Sequence, residues 1–175
     1  MSSNVVIRPV RPADMRDITK IYSQAVEHGT ASFEIEPPSE AEMSTRRKML
    51  LDGGFPYLVA DAGGVVAGYA YAGPYRPRIA YRYTVEDSVY VHPRAAHHGL
   101  GRKLLAELIA EAQARGFRQM VAVIGDSAQL PSIELHKALG FSQIGTLANI
   151  GYKHGRWLDS VLMQRALGDG ATTLP

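Results

Sequence analysis

Apolar residues recur along this chain at two spacings, one typical of helices and the other of strands. Helical spacing follows Pro12, Ser39, Leu100 and Pro131, so the sequence predicts four helices that begin near these residues. Short runs of β-branched, aromatic and other apolar residues lie between them. These runs predict seven strands, at residues 5–8, 57–61, 65–72, 84–92, 119–124, 144–152 and 158–165.

The length and composition place these elements in one globular domain. The chain has 175 residues, of which 46% are hydrophobic and 21% are charged. This balance is typical of a domain that buries its own core. We expect the domain to span residues 1–167, and we expect residues 168–175, which include two glycines and a final proline, to form a disordered tail.

Charge and residue types argue against several functions. The formal net charge is +2, and the densest basic run, Arg46-Arg47-Lys48, has a helical setting typical of a solvated face, so no nucleic-acid partner is expected. The absence of cysteine excludes disulfides, thiolate metal ligands and a cysteine nucleophile. His92, His97 and His98 lack a carboxylate at ligand spacing, so no metal is expected. Without an apolar signal core or a membrane-length stretch, the expected location is cytoplasmic, with no membrane partner.

The clearest local pattern joins a strand to a helix through two glycines. The strand ends at Val91-His92-Pro93, and Gly99-Leu100-Gly101 opens the third helix. Free N–H groups at a helix start favour a phosphate, although glycines at this position also serve plain tight turns. The residues after Gly101 match neither a P-loop nor a dinucleotide-binding fingerprint, which needs a third small residue where Leu104 lies.

Glu86 is an acid within an otherwise apolar strand. Strand alternation puts it on the same face as Ser88 and Tyr90. Burial would raise its pKa toward the range in which a carboxylate serves as a general base. Alternatively, Glu86 would have a structural role, in an ion pair with Arg76 or Arg78.

For residues in two loops, the sequence is consistent with either a structural role or a binding role. The ring of Phe33, in the loop before Pro37, would either close the edge of the core or line a substrate site. The loop after the third strand contains Arg76, Arg78 and three tyrosines. This loop would be either an exposed surface or the rim of a pocket for an anion, because arginine binds carboxylate and phosphinate oxygens through paired hydrogen bonds.

The glycine stretch resembles the coenzyme A loop of the GNAT superfamily of acyl-CoA-dependent N-acetyltransferases. Val91, Pro93, Gly99 and Gly101 match that loop, whereas Ala96 stands where the family has Gln or Arg. The order of the predicted elements matches the family across nearly the whole chain. The resemblance implies an α/β (α+β) fold, the GNAT fold, in which a mixed and mostly antiparallel central sheet of about seven strands is flanked by about four helices.

Five segments are similar to the phosphinothricin and methionine sulfoximine N-acetyltransferases within this superfamily. In that subfamily a histidine replaces the tyrosine of the second GNAT motif, and His136 occupies this place. The five segments are residues 73–78, 84–86, 121–125, 135–141 and 151–159.

The resemblance also implies roles for individual residues. Glu86 would be the catalytic base, and His136 would be either a proton donor or a packing residue. The residues implied for the acceptor are Phe33, Arg76, Arg78, Thr84 and Glu86. The residues implied for the coenzyme are Val89, Tyr90, Val91, His97, His98, Gly99, Leu100, Gly101, Arg102, Gln129 and Ser132, with Gln129 at a place where the subfamily usually has Asn.

Together these features predict an enzyme that transfers acetyl from acetyl-CoA, a co-substrate, to the α-amino group of phosphinothricin, methionine sulfoximine or methionine sulfone. Because no cysteine is present, direct transfer in a ternary complex is expected. The alternatives are another acceptor, such as a polyamine, an aminoglycoside or a protein N-terminus, and a non-catalytic GNAT module that binds acyl-CoA. The resemblance further implies a homodimer, with the hairpin around Trp157 or the Phe33 loop near the partner.

Overall fold

The computed structural model describes residues 5–96 and 99–175. Its strands form one seven-stranded sheet in the order β1-β2-β3-β4-β5-β7-β6. The strands are β1 (Val6–Pro9), β2 (Tyr57–Asp61), β3 (Val66–Pro74), β4 (Thr84–Val91), β5 (Gln119–Gly125), β6 (Ser142–Lys153) and β7 (Arg156–Ala166). All seven predicted strands are present, and each observed bound lies within two residues of the predicted one.

Four α-helices lie within the described ranges. They are α1 (Met15–His28), α2 (Glu40–Asp52), α3 (Leu100–Ala114) and α4 (Leu130–Ala138). The hydroxyl of Ser39 accepts a hydrogen bond from the N–H of Glu42 at 3.2 Å, so Ser39 is the N-cap of α2. Among the described residues, no helix combines the length and the apolar character that a bilayer span requires.

The sheet is mixed but mostly antiparallel. Neighbouring strands pair antiparallel throughout, except that β4 and β5 are parallel. Two parallel neighbours need a crossover connection, and α3 provides it between these two strands. The predicted α/β (α+β) class, with seven strands and four α-helices, is therefore confirmed.

A core covers each face of the central part of the sheet, and successive residues of a strand point to opposite faces. On one face, which we call the α3 face, Val85 packs in a core with Leu104 of α3. On the opposite α1 face, Tyr69 packs with Ile18 and Tyr22 of α1. Along β4, odd-numbered residues therefore belong to the α3 face and even-numbered residues to the α1 face.

The last residues of the chain follow turns beside Arg118, the residue before β5. Its guanidinium donates hydrogen bonds to the Thr173 hydroxyl and to the Leu174 carbonyl oxygen, both at 3.0 Å. The carbonyl oxygen of Arg118 accepts a hydrogen bond from the N–H of the buried Leu167 at 3.0 Å. The expected domain boundary at residue 167 stays a prediction, but these contacts give residues 168–175 a defined course.

Candidate active site

A cavity of about 760 Å³ lies where β4 and β5 stop pairing. The two strands pair from Thr84 opposite Gln119 to Asp87 opposite Ala122. Beyond that point both strands continue without pairing to each other, and their free ends line the cavity. Most of the remaining lining comes from the loop at residues 31–33, the segment that leads into α3, the start of α3 and α4, and Tyr71 of β3 and Ser160 of β7 complete it.

The cavity reaches both faces of the sheet. Its lining includes Glu86 together with Tyr71, which packs on the α1 face. It also includes Asp87 together with Leu100, which packs on the α3 face. A ligand that enters from one face can therefore meet a second ligand from the other face beside β4.

The main chain of β4 offers hydrogen-bonding groups to this cavity. The N–H of His92 bonds to the carbonyl oxygen of Ala67 at 2.9 Å, so it points toward the β3 side. Because main-chain groups alternate in direction along a strand, those of Tyr90 also point toward β3, whereas those of Val89 and Val91 point toward the gap beside β5. Of the three strand residues expected to bind the coenzyme, Val89 and Val91 therefore direct main-chain groups into the cavity, whereas Tyr90 lines the cavity with its main-chain groups turned toward β3.

The N-terminus of α3 forms one end of the cavity. Gly99 has φ of 72°, a left-handed conformation that favours glycine, and it is the N-cap of the helix. The first-turn N–H groups of Leu100, Gly101 and Arg102 have no partner within the helix, and all three residues line the cavity. A helix N-terminus of this kind attracts phosphate groups. His97 and His98, also expected here, lie outside the described residues.

Glu86 lies half-buried on the α1 side of the cavity. Burial is the main cause that raises the pKa of its carboxyl group, and the charge of the neighbouring Asp87 raises the pKa further. The positive charge of Arg76 acts in the opposite direction. Among the described ion pairs none joins Glu86 to Arg76 or Arg78, and Arg76 acts on Glu86 through its charge. This carboxylate therefore keeps the properties of a candidate base.

His136 forms a buried pair with Asp87 on the α3 side of the cavity. Its Nε2 lies 2.9 Å from the Asp87 Oδ2 atom, and its Nδ1 lies 2.7 Å from the carbonyl oxygen of Ser132. Both partners are acceptors, so this geometry suits a ring that carries a proton on each nitrogen. Burial lowers the pKa of His136, but the hydrogen bond and charge of Asp87 outweigh it, so the pKa lies above its ordinary value.

The loop that carries Phe33 closes the cavity on the α1 side. The Phe33 ring lies against two glycines, since a Cβ atom on Gly125 would lie 2.8 Å from the ring and one on Gly151 would lie 2.4 Å from it. The ring is 38% exposed and lines the cavity. Phe33 therefore both packs against the sheet and forms part of the wall.

Gln129 and Ser132 line the cavity near the start of α4. The Gln129 side-chain amide donates a hydrogen bond to the Thr30 hydroxyl at 3.0 Å. This contact connects α4 to the loop of Phe33. Gln129 therefore supports the wall of the cavity, in addition to the coenzyme contact that the sequence predicts for it.

Three of the predicted acceptor residues lie elsewhere. Arg76, Arg78 and Thr84 line a second cavity of about 340 Å³, beside the first residues of β4, together with Arg82. The described lining residues of this cavity do not include those of the main one. The structure thus does not bring these three residues together with Phe33 and Glu86, although the charge of Arg76 reaches Glu86.

Asp87 is the residue at this site that the sequence analysis missed. One of its carboxylate oxygens bonds to His136, and the other, Oδ1, is buried without a partner among the described residues. A possible signal was the pair of consecutive acids in one strand, because alternation sends the second acid to the opposite face. No cluster of three or more His, Cys, Asp or Glu residues that could hold a metal is present in the described ranges.

Comparison with known proteins identifies the family. Residues 16–141 match the model of the acetyltransferase (GNAT) family. The phosphinothricin N-acetyltransferase of Alcaligenes faecalis is 53% identical over 169 residues, which cover 97% of this chain and 86% of the relative. The L-methionine sulfoximine/L-methionine sulfone acetyltransferase of Salmonella typhimurium is 42% identical over 170 residues, which cover 95% of this chain and 97% of the relative.

A solved structure agrees with these relatives. The crystal structure of a GNAT superfamily phosphinothricin acetyltransferase from Sinorhizobium meliloti, in complex with acetyl-CoA, superimposes with a TM-score of 0.95. It is 50% identical, and the alignment covers 98% of this chain and 92% of the other. The fold, the glycine loop at the start of α3 and these similarities together show that the chain belongs to the GNAT family of acetyltransferases.

Proposed function

We propose that this chain transfers acetyl from acetyl-CoA to the α-amino group of a small amino acid of the phosphinothricin or methionine sulfoximine and sulfone type. The observation that carries the proposal is the cavity across the sheet, with a helix N-terminus on its α3 side and a half-buried carboxylate on its α1 side. The names of the relatives support the choice of acceptor.

The α3 side of the cavity suits the coenzyme. The free N–H groups of Leu100, Gly101 and Arg102 would hold its pyrophosphate. Ala96 has no polar side chain for this contact, so the main chain would bind the pyrophosphate there. The main-chain groups of Val89 and Val91 would bind the arm that carries the acetyl group and stabilise the developing oxyanion. Bound acetyl-CoA supplies the thioester whose acetyl group is transferred. Contacts from His97, His98, Gln129 and Ser132 stay predictions.

Glu86 is the proposed base. The acceptor arrives as an ammonium, which has to lose a proton before its nitrogen can attack a carbonyl carbon. A carboxylate with a raised pKa accepts that proton more readily than an ordinary one, and Glu86 has this property because it is half-buried. It can act directly or through a water molecule.

His136 is the proposed proton donor for the leaving thiolate. The hydrogen bond to Asp87 favours the protonated ring, because it raises the pKa of His136. The same hydrogen bond directs the Nε2–H toward Asp87, so the donor would have to exchange this partner for the sulfur. Asp87 is accordingly a positioning residue, because it acts through the charge and orientation of His136.

A homodimer is also proposed, with β6 at the interface. β6 lies at the edge of the sheet and is exposed along most of its length. The exposed apolar side chains on this strand and at the start of β7 are Ile144, Leu147, Ile150, Tyr152 and Trp157. Exposed apolar side chains at a sheet edge are unfavourable in water, and a second copy of this chain would cover them. Cytoplasmic location and the absence of a nucleic-acid or membrane partner stay predictions.

The acceptor class is tested by thiol release from acetyl-CoA with a panel of amines. We expect turnover with phosphinothricin, methionine sulfoximine or methionine sulfone, and much lower kcat/KM with spermidine, aminoglycosides and peptides. A preference for spermidine would contradict the acceptor assignment. Binding of acetyl-CoA in calorimetry, with no turnover of any amine, would favour the non-catalytic alternative.

Replacement of the base should lower turnover without loss of coenzyme binding. We expect Glu86→Gln to reduce kcat by a factor on the order of 10² to 10⁴, with acetyl-CoA affinity unchanged in calorimetry. In the wild type, kcat should fall as the pH drops through the pKa of Glu86, because the protonated carboxyl cannot accept a proton. This acidic limb should lie above the pH of an ordinary glutamate, since burial raises that pKa. An unchanged acidic limb in Glu86→Gln would argue against the assignment.

Variants of Arg76 and Arg78 distinguish two roles: binding of the acceptor and an electrostatic effect on the pKa of Glu86. If they hold the acceptor's carboxylate, Arg76→Ala and Arg78→Ala should raise the acceptor KM about tenfold and leave the acetyl-CoA KM unchanged. Arg76→Ala should also move the acidic limb to higher pH, because the lost positive charge had lowered the pKa of Glu86. The exposed Arg16 on α1 provides the matched control, Arg16→Ala. An unchanged acceptor KM would leave only the electrostatic role of Arg76.

The dimer proposal is tested by light scattering at micromolar concentration. We expect the mass of two chains for the wild type and of one chain for Trp157→Glu, because a charge at a covered apolar contact opposes association. Val65→Glu is the control, since Val65 is 61% exposed and Trp157 is 62% exposed, but Val65 precedes β3 in the other half of the sheet. A wild-type mass of one chain would refute the proposal.

A further inference from the structure

Lys153 is a buried cation that the proposed chemistry does not use. It is the last residue of β6 and is only 4% exposed. Its Nζ donates a hydrogen bond of 2.7 Å to the main-chain carbonyl oxygen of Ser32. Burial lowers the pKa of this ammonium, which the charge of Glu34 partly offsets. Because a buried ammonium is unfavourable, its contact with a single neutral carbonyl calls for a specific explanation.

The carbonyl that Lys153 holds belongs to the loop of residues 29–34, which closes the α1 side of the main cavity. Other side chains hold the same loop as well, including Gln129, whose amide bonds to the Thr30 hydroxyl. The Tyr22 hydroxyl lies 2.9 Å from the Ser32 hydroxyl, and Nε2 of His154 lies 3.1 Å from the carbonyl oxygen of Gly29. The loop is therefore held between α1 on one side and the tip of the β6–β7 hairpin on the other.

The next residue after Ser32 is Phe33, whose ring occupies the slot that two glycines leave open. A Cβ atom on Gly151, two residues before Lys153, would lie 2.4 Å from a ring carbon of Phe33. The hairpin thus contributes both the slot for the ring and the ammonium that holds the preceding carbonyl. Phe33 and Glu86 line the same cavity, so the position of the ring determines the space beside the proposed base.

We propose that Lys153 is a positioning residue that sets the acceptor side of the cavity, by holding the Ser32 carbonyl so that Phe33 stays in its slot. The contact acts on the wall beside Glu86 and not on the N-terminus of α3, where the coenzyme is proposed to bind. It therefore determines acceptor binding separately from coenzyme binding. This inference rests on the proposed function for the identity of the acceptor, but the contact itself does not.

The test compares Lys153→Met with Lys20→Met, a matched change at an exposed lysine on α1. Methionine keeps the length and apolar stem of the side chain and removes the donor. We expect faster hydrogen exchange of the amides in residues 29–35, without any ligand, in Lys153→Met only. We also expect the KM for methionine sulfoximine to rise by about tenfold to a hundredfold, while the acetyl-CoA KM stays within about twofold.

Gly151→Ala is the second variant, because it displaces the Phe33 ring and leaves the Lys153 donor in place. It should give the same selective rise in acceptor KM, so the proposal can be tested even if Lys153→Met does not fold. Unchanged exchange at residues 29–35 in folded Lys153→Met, or equal changes in both KM values in either variant, would overturn the inference. A wild type that acetylates none of the panel would instead contradict the proposed function, and the exchange measurement would still decide whether Lys153 holds the loop.

Discussion

The site depends on one feature of the sheet, the early end of pairing between its two parallel strands. β4 and β5 are bonded from Thr84 to Asp87 and separate beyond that point, although both strands continue. The separation leaves main-chain groups of Val89 and Val91 without strand partners and opens a passage between the two faces of the sheet. An unpaired main-chain group in a sheet interior is unfavourable unless water or a ligand satisfies it. The cavity therefore lies where the hydrogen bonds between β4 and β5 end, and a ligand could bond to the main-chain groups left there.

Two consecutive acids connect the two sides of that passage. Because strand residues alternate in direction, Glu86 faces the α1 side and Asp87 faces the α3 side. Asp87 bonds to His136, and its charge also raises the pKa of Glu86. One carboxylate thus favours the protonated form of both partners, which suits a proton donor on one side and a proton acceptor of raised pKa on the other.

The C-terminal hairpin of β6 and β7 completes the wall that the first half of the chain begins. Lys153 contacts Ser32 across 121 residues of sequence, and the Phe33 ring rests against Gly125 and Gly151. Arg156 forms an ion pair with Asp126, which follows β5. The loop at residues 29–34 has few ways to hold itself in place, because it has no helix or strand of its own. Its shape is therefore set by contacts with the hairpin, the end of β5, α1 and the start of α4.

Local patterns in the sequence were sufficient for the elements of the fold and for part of the site. The spacing of apolar residues predicted seven strands and four helices, and alternation along one strand placed Glu86 on a defined face. The glycines at the start of α3, with the similarity of several segments to a known family, predicted a coenzyme-binding loop, and this loop lines the cavity. These features depend on residues within a few positions of one another, so a single sequence contains them.

Contacts between distant residues required the tertiary structure. The pairing of His136 with Asp87 depends on how α4 docks against β4, and the contact of Lys153 with Ser32 depends on how the hairpin closes over a loop. Arg76, Arg78 and Thr84 were expected beside Phe33 and Glu86, yet they line a second cavity. They lie in the β3–β4 connection and at the first residue of β4, whereas the main cavity opens beyond the last paired residue, Asp87. The sequence by itself determined which residues form the strands, the helices and the glycine loop. Only the packing of these elements decided which side chains share a cavity, since no local spacing encodes a distance across the sheet.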